Sequence, residues 1–165
     1  MATANADRTS TIYQKSIKPV NGASILKKGS SNKKLGFVIK AKRWTGKRLY
    51  SLTLVERETC PTSCQHWSDC YGNNMPFAHR FATEGLMAKL EEELEALAVK
   101  HPKGFVVRLH VLGDFYSKAY VAFWRSMLAR HTGLCVFGYT AREPNKAIGK
   151  AIRALNLAEP DRCVI

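Results

Sequence analysis

The stretch Phe105-Val-Val-Arg-Leu-His-Val-Leu-Gly-Asp114 decides the fold, because it is an apolar run of strand length that ends in a glycine and an acid. Strands of a parallel sheet are covered on both faces and read as nearly continuous apolar runs. Strand alternation predicts one apolar face and a second face shared by Arg108, His110 and Asp114. The apolar face consists of Val107, Leu109 and Val111. Polar side chains on a covered face are costly unless they pair or line a wet cleft. We therefore expect a polar cleft beside this strand.

Outward from this stretch, strand and helix patterns alternate along the chain. Strand patterns cover residues 49–55, 134–139 and 161–165, and helix patterns cover residues 86–97, 118–131 and 145–157. This alternation predicts βαβ units and a parallel sheet. The predicted fold class is α/β, a parallel sheet of repeated βα units that forms a partial (β/α) barrel. A short N-terminal β-hairpin, built from residues 37–42 and 49–55, precedes it.

The chain divides by composition into two parts. Residues 1–33 are rich in Ser, Thr, Asn and Lys, which predicts a basic, poorly ordered N-terminal segment. Residues 34–165 form the predicted α/β domain, which ends in a strand pattern as if truncated at its C-terminus. Twelve of the 26 Lys and Arg residues lie in residues 1–50 beside a single acidic residue, and the whole chain carries a formal net charge of +13. Such a basic third either holds nucleic-acid phosphates or only keeps the chain in solution.

Composition also excludes several classes of protein. A length of 165 residues with 45% hydrophobic content is typical of one globular domain and excludes wholesale disorder. No apolar run reaches the roughly 18 residues of a membrane helix, and the start of the chain lacks the apolar core of a secretory signal. Five cysteines are an odd number for a disulfide framework. We therefore expect a cytoplasmic protein that does not interact with a membrane.

A cysteine cluster follows the strand pattern at residues 49–55. Cys60, Cys64 and Cys70 fall within eleven residues, and thiolates so close together need a cation or a cluster to hold them. Zinc would take a fourth ligand from His66, His79 or Asp69, whereas an iron–sulfur cluster would use the thiolates alone. The remaining interpretation is three reduced, inert thiols in a loop. Cys135 lies in an apolar strand pattern and is typical of a small core residue, whereas the role of Cys163 stays open.

Three loops that carry unusual residues follow three predicted parallel strands. They begin at Cys60, at Gly113 and at Tyr139. Because the carboxyl ends of parallel strands meet at one edge of the sheet, we expect these loops to share a rim. Ligands of parallel α/β proteins gather at that rim, so the sequence predicts the functional site there.

A strand that runs into a three-cysteine loop within βα repeats resembles the radical S-adenosylmethionine superfamily. The spacing here is C-x3-C-x5-C, whereas the common motif of that superfamily is C-x3-C-x2-C. The resemblance implies that Cys60, Cys64 and Cys70 bind a [4Fe–4S] cluster whose open iron binds S-adenosylmethionine. It also implies that Asp114, after Gly113, receives the amino group of that cofactor. The pocket around the cofactor would be lined by Tyr71, His110, Thr140 and Arg142.

Three sequence blocks resemble more closely the gene product 88 family of phages and mobile elements. These blocks are residues 59–71, with Thr-Cys-Pro and a final Cys-Tyr, residues 108–117, with Arg-x-His-x-x-Gly-Asp-Phe-Tyr-Ser, and residues 137–140, with Phe-x-x-Tyr-Thr. The likeness spans about residues 35–165. It indicates the fold and the site rather than a reaction or a substrate.

A second hypothesis assigns the cysteines to zinc and the chain to nucleic-acid binding without catalysis. In this hypothesis the basic N-terminal third grips phosphates, and Trp44, Tyr50 and Trp67 stack on bases. A third hypothesis keeps the barrel-like fold without any chemistry, in a degenerate relative with an accessory role.

Overall fold

A computed structural model describes residues 8–29 and 36–165 of the chain. In chain order the strands and helices are β1 (Ile17–Lys18), β2 (Lys27–Lys28), β3 (Arg48–Ser51), β4 (Arg80–Phe81), α1 (Leu86–Lys100), β5 (Phe105–Leu109), α2 (Lys118–Arg130), β6 (Leu134–Gly138), α3 (Ala147–Ala158) and β7 (Cys163–Val164). Short 3-10 turns cover Gln14–Ser16 and Tyr71–Asn74. Within these two described ranges, no helix has the length and apolar character needed to cross a membrane.

The main sheet has five strands in the order β2-β3-β5-β6-β7. β2 lies antiparallel to β3, and β3, β5, β6 and β7 are parallel neighbours in chain order. β1 and β4 form a separate parallel pair. The prediction of an α/β fold with a parallel-rich sheet is therefore confirmed.

The helices cover one face of this sheet. Each has a stripe of apolar residues at the period of an α-helix, and this stripe packs against the sheet. Leu90 of α1, Trp124 of α2 and Ile152 of α3 are buried in one core together with Val107 of β5 and Val136 of β6. Ser117 caps α2, since its hydroxyl accepts a 3.1 Å hydrogen bond from the backbone N–H of Tyr120.

The opposite face of the sheet carries a hairpin that includes residues 37–49. Ile39 N–H donates to Lys47 O at 3.0 Å, and Leu49 N–H donates to Phe37 O at 3.0 Å. Ile39 and Trp44 pack against a small core of Leu49, Val106 and Cys135. A short antiparallel hairpin thus occurs where the alternating pattern predicted one.

The N-terminal part differs from the expectation of a poorly ordered segment over residues 1–33. Residues 8–29 pack on the domain, and Ile25 and Leu26 are buried. The Glu93 carboxylate of α1 accepts hydrogen bonds from the backbone N–H groups of both, at 2.8 and 2.9 Å. The rest of that segment, residues 1–7 and 30–33, lies outside the described residues.

Candidate functional site

The carboxyl ends of β3, β5 and β6 lead into three loops, and the Asp114 carboxylate joins the second of these to the third. Oδ1 of Asp114 accepts hydrogen bonds from the Thr140 hydroxyl and the Phe115 N–H, both at 2.7 Å. Oδ2 accepts one from the Ala141 N–H, also at 2.7 Å. These bonds occupy three acceptor positions of a buried carboxylate and leave one on Oδ2.

Arg142 joins the same loops from the other side. Its Nε donates to Phe115 O at 2.6 Å, and its Nη2 donates to Thr59 O at 2.7 Å. Thr59 also accepts a 3.2 Å bond from Asp114 N–H through its hydroxyl, and it directly precedes Cys60. The structure therefore brings Asp114, Thr140 and Arg142 together at the rim, against the start of the cysteine loop.

Gly113 sets the close approach of the Asp114 loop to the end of β3. Its φ of 85° lies in the left-handed region that favours glycine. A Cβ at this position would lie 2.5 Å from the Thr59 hydroxyl oxygen and 2.7 Å from Leu54 Cβ. Gly113 therefore lets the backbone of the Asp114 loop pass close to Thr59 and Leu54.

Burial raises the pKa of Asp114 above its ordinary value, while the bonds from Thr140, Ala141 and Phe115 and the charge of Arg142 oppose that rise. The carboxylate is thus held in a poorly solvated place where a further cationic or N–H donor on Oδ2 would favour its ionised form.

The three cysteines lie on the neighbouring loop. Cys60, Cys64 and Cys70 are half-buried and unpaired. Burial raises the pKa of Cys60 to about 11, and Asp114 and the other two cysteines raise it further, against a backbone hydrogen bond from Arg57. Burial also raises the pKa of Cys70. Among the described residues, no three His, Cys, Asp or Glu side chains stand close enough together to hold a metal ion without moving.

Arg57 precedes Cys60 in the chain, and its side chain packs against the cysteine loop. Its side chain is only 4% exposed, and its φ of 70° is in the left-handed region, which is unusual for a residue with a Cβ. Nε donates to Trp67 O and Nη2 donates to Asn73 Oδ1, each at 3.1 Å. Nη1 is buried and has no hydrogen-bond partner among the residues that the structure describes. No sequence pattern singled out this arginine.

A buried ion pair supports the base of the same loop. Arg80 and Glu56 side chains are fully buried, with Nε to Oε2 at 2.7 Å. Arg80 Nη2 also donates to Gly72 O at 3.0 Å, next to Tyr71. Thr11 donates to Glu56 Oε1 at 2.8 Å, which ties the N-terminal segment to the site. Sequence reasoning missed this pair because its members are 24 residues apart.

His110 does not join the rim cluster. It adopts a φ of 58°, which ends the strand alternation and turns its ring toward the helix layer. The ring contacts Phe115 edge-on at 4.7 Å between centroids, and Nε2 lies 3.2 Å from the Tyr120 hydroxyl. The expectation that His110 shares a face with Arg108 and Asp114 therefore does not match the structure.

The remaining candidate residues take varied positions. Tyr71 is exposed, and its hydroxyl donates to Val111 O near the rim. His66 and Asp69, two candidate zinc ligands, are exposed and lie 3.4 Å apart, and His79 is exposed as well. Cys135 is buried, as expected of a core residue, and Cys163 is buried as well.

The aromatic residues proposed to stack on bases are mostly engaged within the fold. Tyr50 is buried, and its hydroxyl lies 2.8 Å from His101 Nε2. Trp44 packs near Phe137, at 6.5 Å between ring centroids, and donates from Nε1 to Asp161 O at 2.8 Å. Trp67 is half-buried, and its carbonyl accepts the bond from Arg57.

Comparison with known proteins identifies one family to which the chain is similar. No curated protein and no solved structure matches the chain. The family model of gene product 88 matches residues 24–159, which include β2 to α3, the cysteine loop and the Asp114 cluster. Because this match covers most of the chain, the protein belongs to the gene product 88 family.

Proposed function

We propose that the protein holds an iron–sulfur cluster through Cys60, Cys64 and Cys70 and binds S-adenosylmethionine at the same rim. The observation that carries the proposal is the buried Arg57 guanidinium enclosed by the cysteine loop. Within residues 8–29 and 36–165 no carboxylate forms an ion pair with Arg57, and a buried cation without a counter-charge is costly. Its place near Cys60 and Cys70 therefore favours negative charge there. Metal-bound thiolates would supply that charge.

The thiols are suited to such a role. They are soft ligands on a single loop, half-buried and unpaired, and each of Cys60 and Cys70 is electrostatically coupled to Cys64. The raised pKa values of Cys60 and Cys70 mean that these two free thiols are protonated, so metal binding would release their protons. The loop would also have to draw the three side chains together, because they do not form a ready-made ligand group among the described residues.

The winding of the sheet supports placing this site in a partial (β/α) barrel. β3, β5, β6 and β7 are neighbours in chain order, and the helices cover one face. Such an order, with helices on one face, is typical of a (β/α) barrel, whereas a doubly wound sheet has helices on both faces. The hairpin side of the sheet would then face the barrel interior.

Asp114 and Arg142 suit the second ligand. The remaining acceptor position on Asp114 Oδ2 fits an ammonium group, and the bonds from Arg142 to Phe115 and Thr59 hold the rim loops in place around it. A bound cluster with S-adenosylmethionine would supply radical chemistry. The protein's own residues would bind, orient and shield these groups, with Arg57 balancing the charge of the thiolates.

The test is reconstitution of the full chain without oxygen, followed by absorption spectroscopy. Wild-type protein should gain the visible absorption of an iron–sulfur cluster, and the triple variant Cys60→Ala, Cys64→Ala, Cys70→Ala should not. Cys135→Ala is the matched control, since that thiol is buried in the sheet and should leave the absorption unchanged. Equal absorption in the triple variant, or zinc in place of iron in the wild type, would contradict the proposal.

A further inference from the structure

A groove runs along the β2 edge of the main sheet, away from the cysteine loop. It consists of a cavity of about 480 Å³ between β2 and the C-terminal half of α1, and a smaller one of about 190 Å³ at the start of β3. The two cavities share Lys28, Tyr50 and Lys100, so they form one continuous depression, here named the edge groove.

The floor of the edge groove is apolar. Leu26 and Tyr50 are buried beneath it, and Leu97 of α1 lines its wall. At the end nearer β3, Phe37 is 57% exposed and borders the smaller cavity. An exposed phenylalanine beside an apolar floor offers a ring face to a flat ligand.

The rim of the edge groove is strongly positive. Its lining cations are Lys27, Lys28, Arg48 and Lys100. Among the described residues of this lining Glu93 is the one acid, and it already accepts hydrogen bonds from the Ser24 hydroxyl and from the Ile25 and Leu26 N–H groups. Its charge is therefore committed to holding the segment before β2.

The positive field acts on a neighbouring group in the structure. His101 lines the smaller cavity, and its pKa is lowered first by burial and then by the charges of Lys100 and Arg48. The cations are distributed over an edge strand, the start of β3 and the end of α1 rather than converging on one point. This distribution suits a chain of negative charges better than a single small anion.

We propose that the edge groove binds single-stranded nucleic acid, with its cations along the sugar-phosphate backbone and Phe37 stacked against a base. A nucleic-acid strand is favoured over an acidic peptide because every nucleotide carries a flat ring beside its charged phosphate, so a base always lies within reach of the exposed Phe37. This site is independent of the proposed iron–sulfur cluster.

The test is fluorescence anisotropy of the full chain with a fluorescein-labelled oligo(dT) of about 16 nucleotides at moderate salt. The double variant Arg48→Glu, Lys100→Glu should raise Kd at least about tenfold. The matched control is Lys150→Glu, Arg153→Glu, two exposed residues of α3 that change the net charge equally and should raise Kd no more than about threefold.

Phe37→Ala provides a second variant that leaves the charge unchanged. It should raise Kd about fivefold or more, as expected when a stacked base loses its ring. Equal loss of affinity in the two charge-reversal variants would overturn the proposal, because it would indicate attraction by net charge alone. Absence of wild-type binding, or equally tight binding of poly-glutamate or of duplex DNA, would also overturn it.

Discussion

The Asp114 carboxylate accepts a 2.7 Å hydrogen bond from the hydroxyl of Thr140, which lies 26 residues later in the chain. This bond joins the loop after β5 to the loop after β6, and Arg142 extends the connection to Thr59 at the start of the cysteine loop. The rim of the sheet is therefore one hydrogen-bonded unit, so a substitution in one of these loops should change the structure of the other two.

Asp114→Asn should lower the free energy of unfolding by about 1–3 kcal/mol. Both oxygens of the Asp114 carboxylate accept hydrogen bonds from N–H or O–H donors, so the amide nitrogen of the asparagine would face a donor in place of an acceptor. Urea unfolding measures this change. Asp161→Asn, at an exposed position, is the control and should alter stability by less than about 0.5 kcal/mol. An unchanged midpoint for Asp114→Asn would show that the carboxylate does not hold the loops together.

Gly113→Ala should be far more damaging than Gly46→Ala. Both glycines have a positive φ, 85° and 81°, so both variants carry backbone strain of about 1 kcal/mol. A Cβ at Gly46 meets open space, whereas one at Gly113 meets Thr59 and Leu54. We expect Gly113→Ala to cost at least about 2 kcal/mol more in thermal or urea unfolding. Equal effects would mean that the rim relaxes freely around the added methyl group.

Glu56→Gln should destabilise the protein by about 3–5 kcal/mol, because it leaves the buried Arg80 guanidinium without its counter-charge. Glu95→Gln breaks an exposed ion pair with Arg130 and should cost less than about 1 kcal/mol. The comparison uses the same chemical change at both positions in urea unfolding. If both variants unfolded at the same urea concentration, the buried Glu56–Arg80 pair would contribute no more to stability than the exposed Glu95–Arg130 pair.

His110 should make the fold sensitive to acid. Burial lowers its pKa from 6.5 to about 3, so the unfolded chain binds a proton below pH 6.5 that the folded chain excludes. Stability from this group is thus complete above pH 6.5 and is lost as the pH falls toward 3.

At pH 5 the loss should amount to about 2 kcal/mol relative to pH 7. His110→Asn does not titrate in this range and tolerates the left-handed backbone. Its free energy of unfolding should therefore fall less between these two pH values. An identical fall in both proteins would assign the acid sensitivity to other groups.

The order of β3, β5, β6 and the three helices could be predicted because each lies in a stretch long enough to show its period. The strand at β5 and the leucines of α1 are clear examples, and the rim position of Asp114 follows from parallel pairing alone. β1 and β2 were not predictable, since each has two residues and owes its place to contacts such as those between Glu93 and the segment before β2.

Two features of the site could not be inferred from pattern. His110 leaves the strand alternation through a left-handed φ, a choice that depends on its packing with Phe115 and Tyr120 rather than on its neighbours in sequence. No feature of the sequence distinguishes Arg57 from the other arginines. Its burial, and the lack of a hydrogen-bond partner for Nη1 among the described residues, depend on the loop that packs against it.

The most direct test of the central claim is the iron, sulfide and zinc content of the full chain purified without oxygen. A [4Fe–4S] cluster predicts about four iron and four sulfide per chain in fully loaded protein. The same sample of the variant Cys60→Ala, Cys64→Ala, Cys70→Ala should contain neither. Zinc without sulfide, or no metal at all in the wild-type protein after reconstitution, would contradict the account.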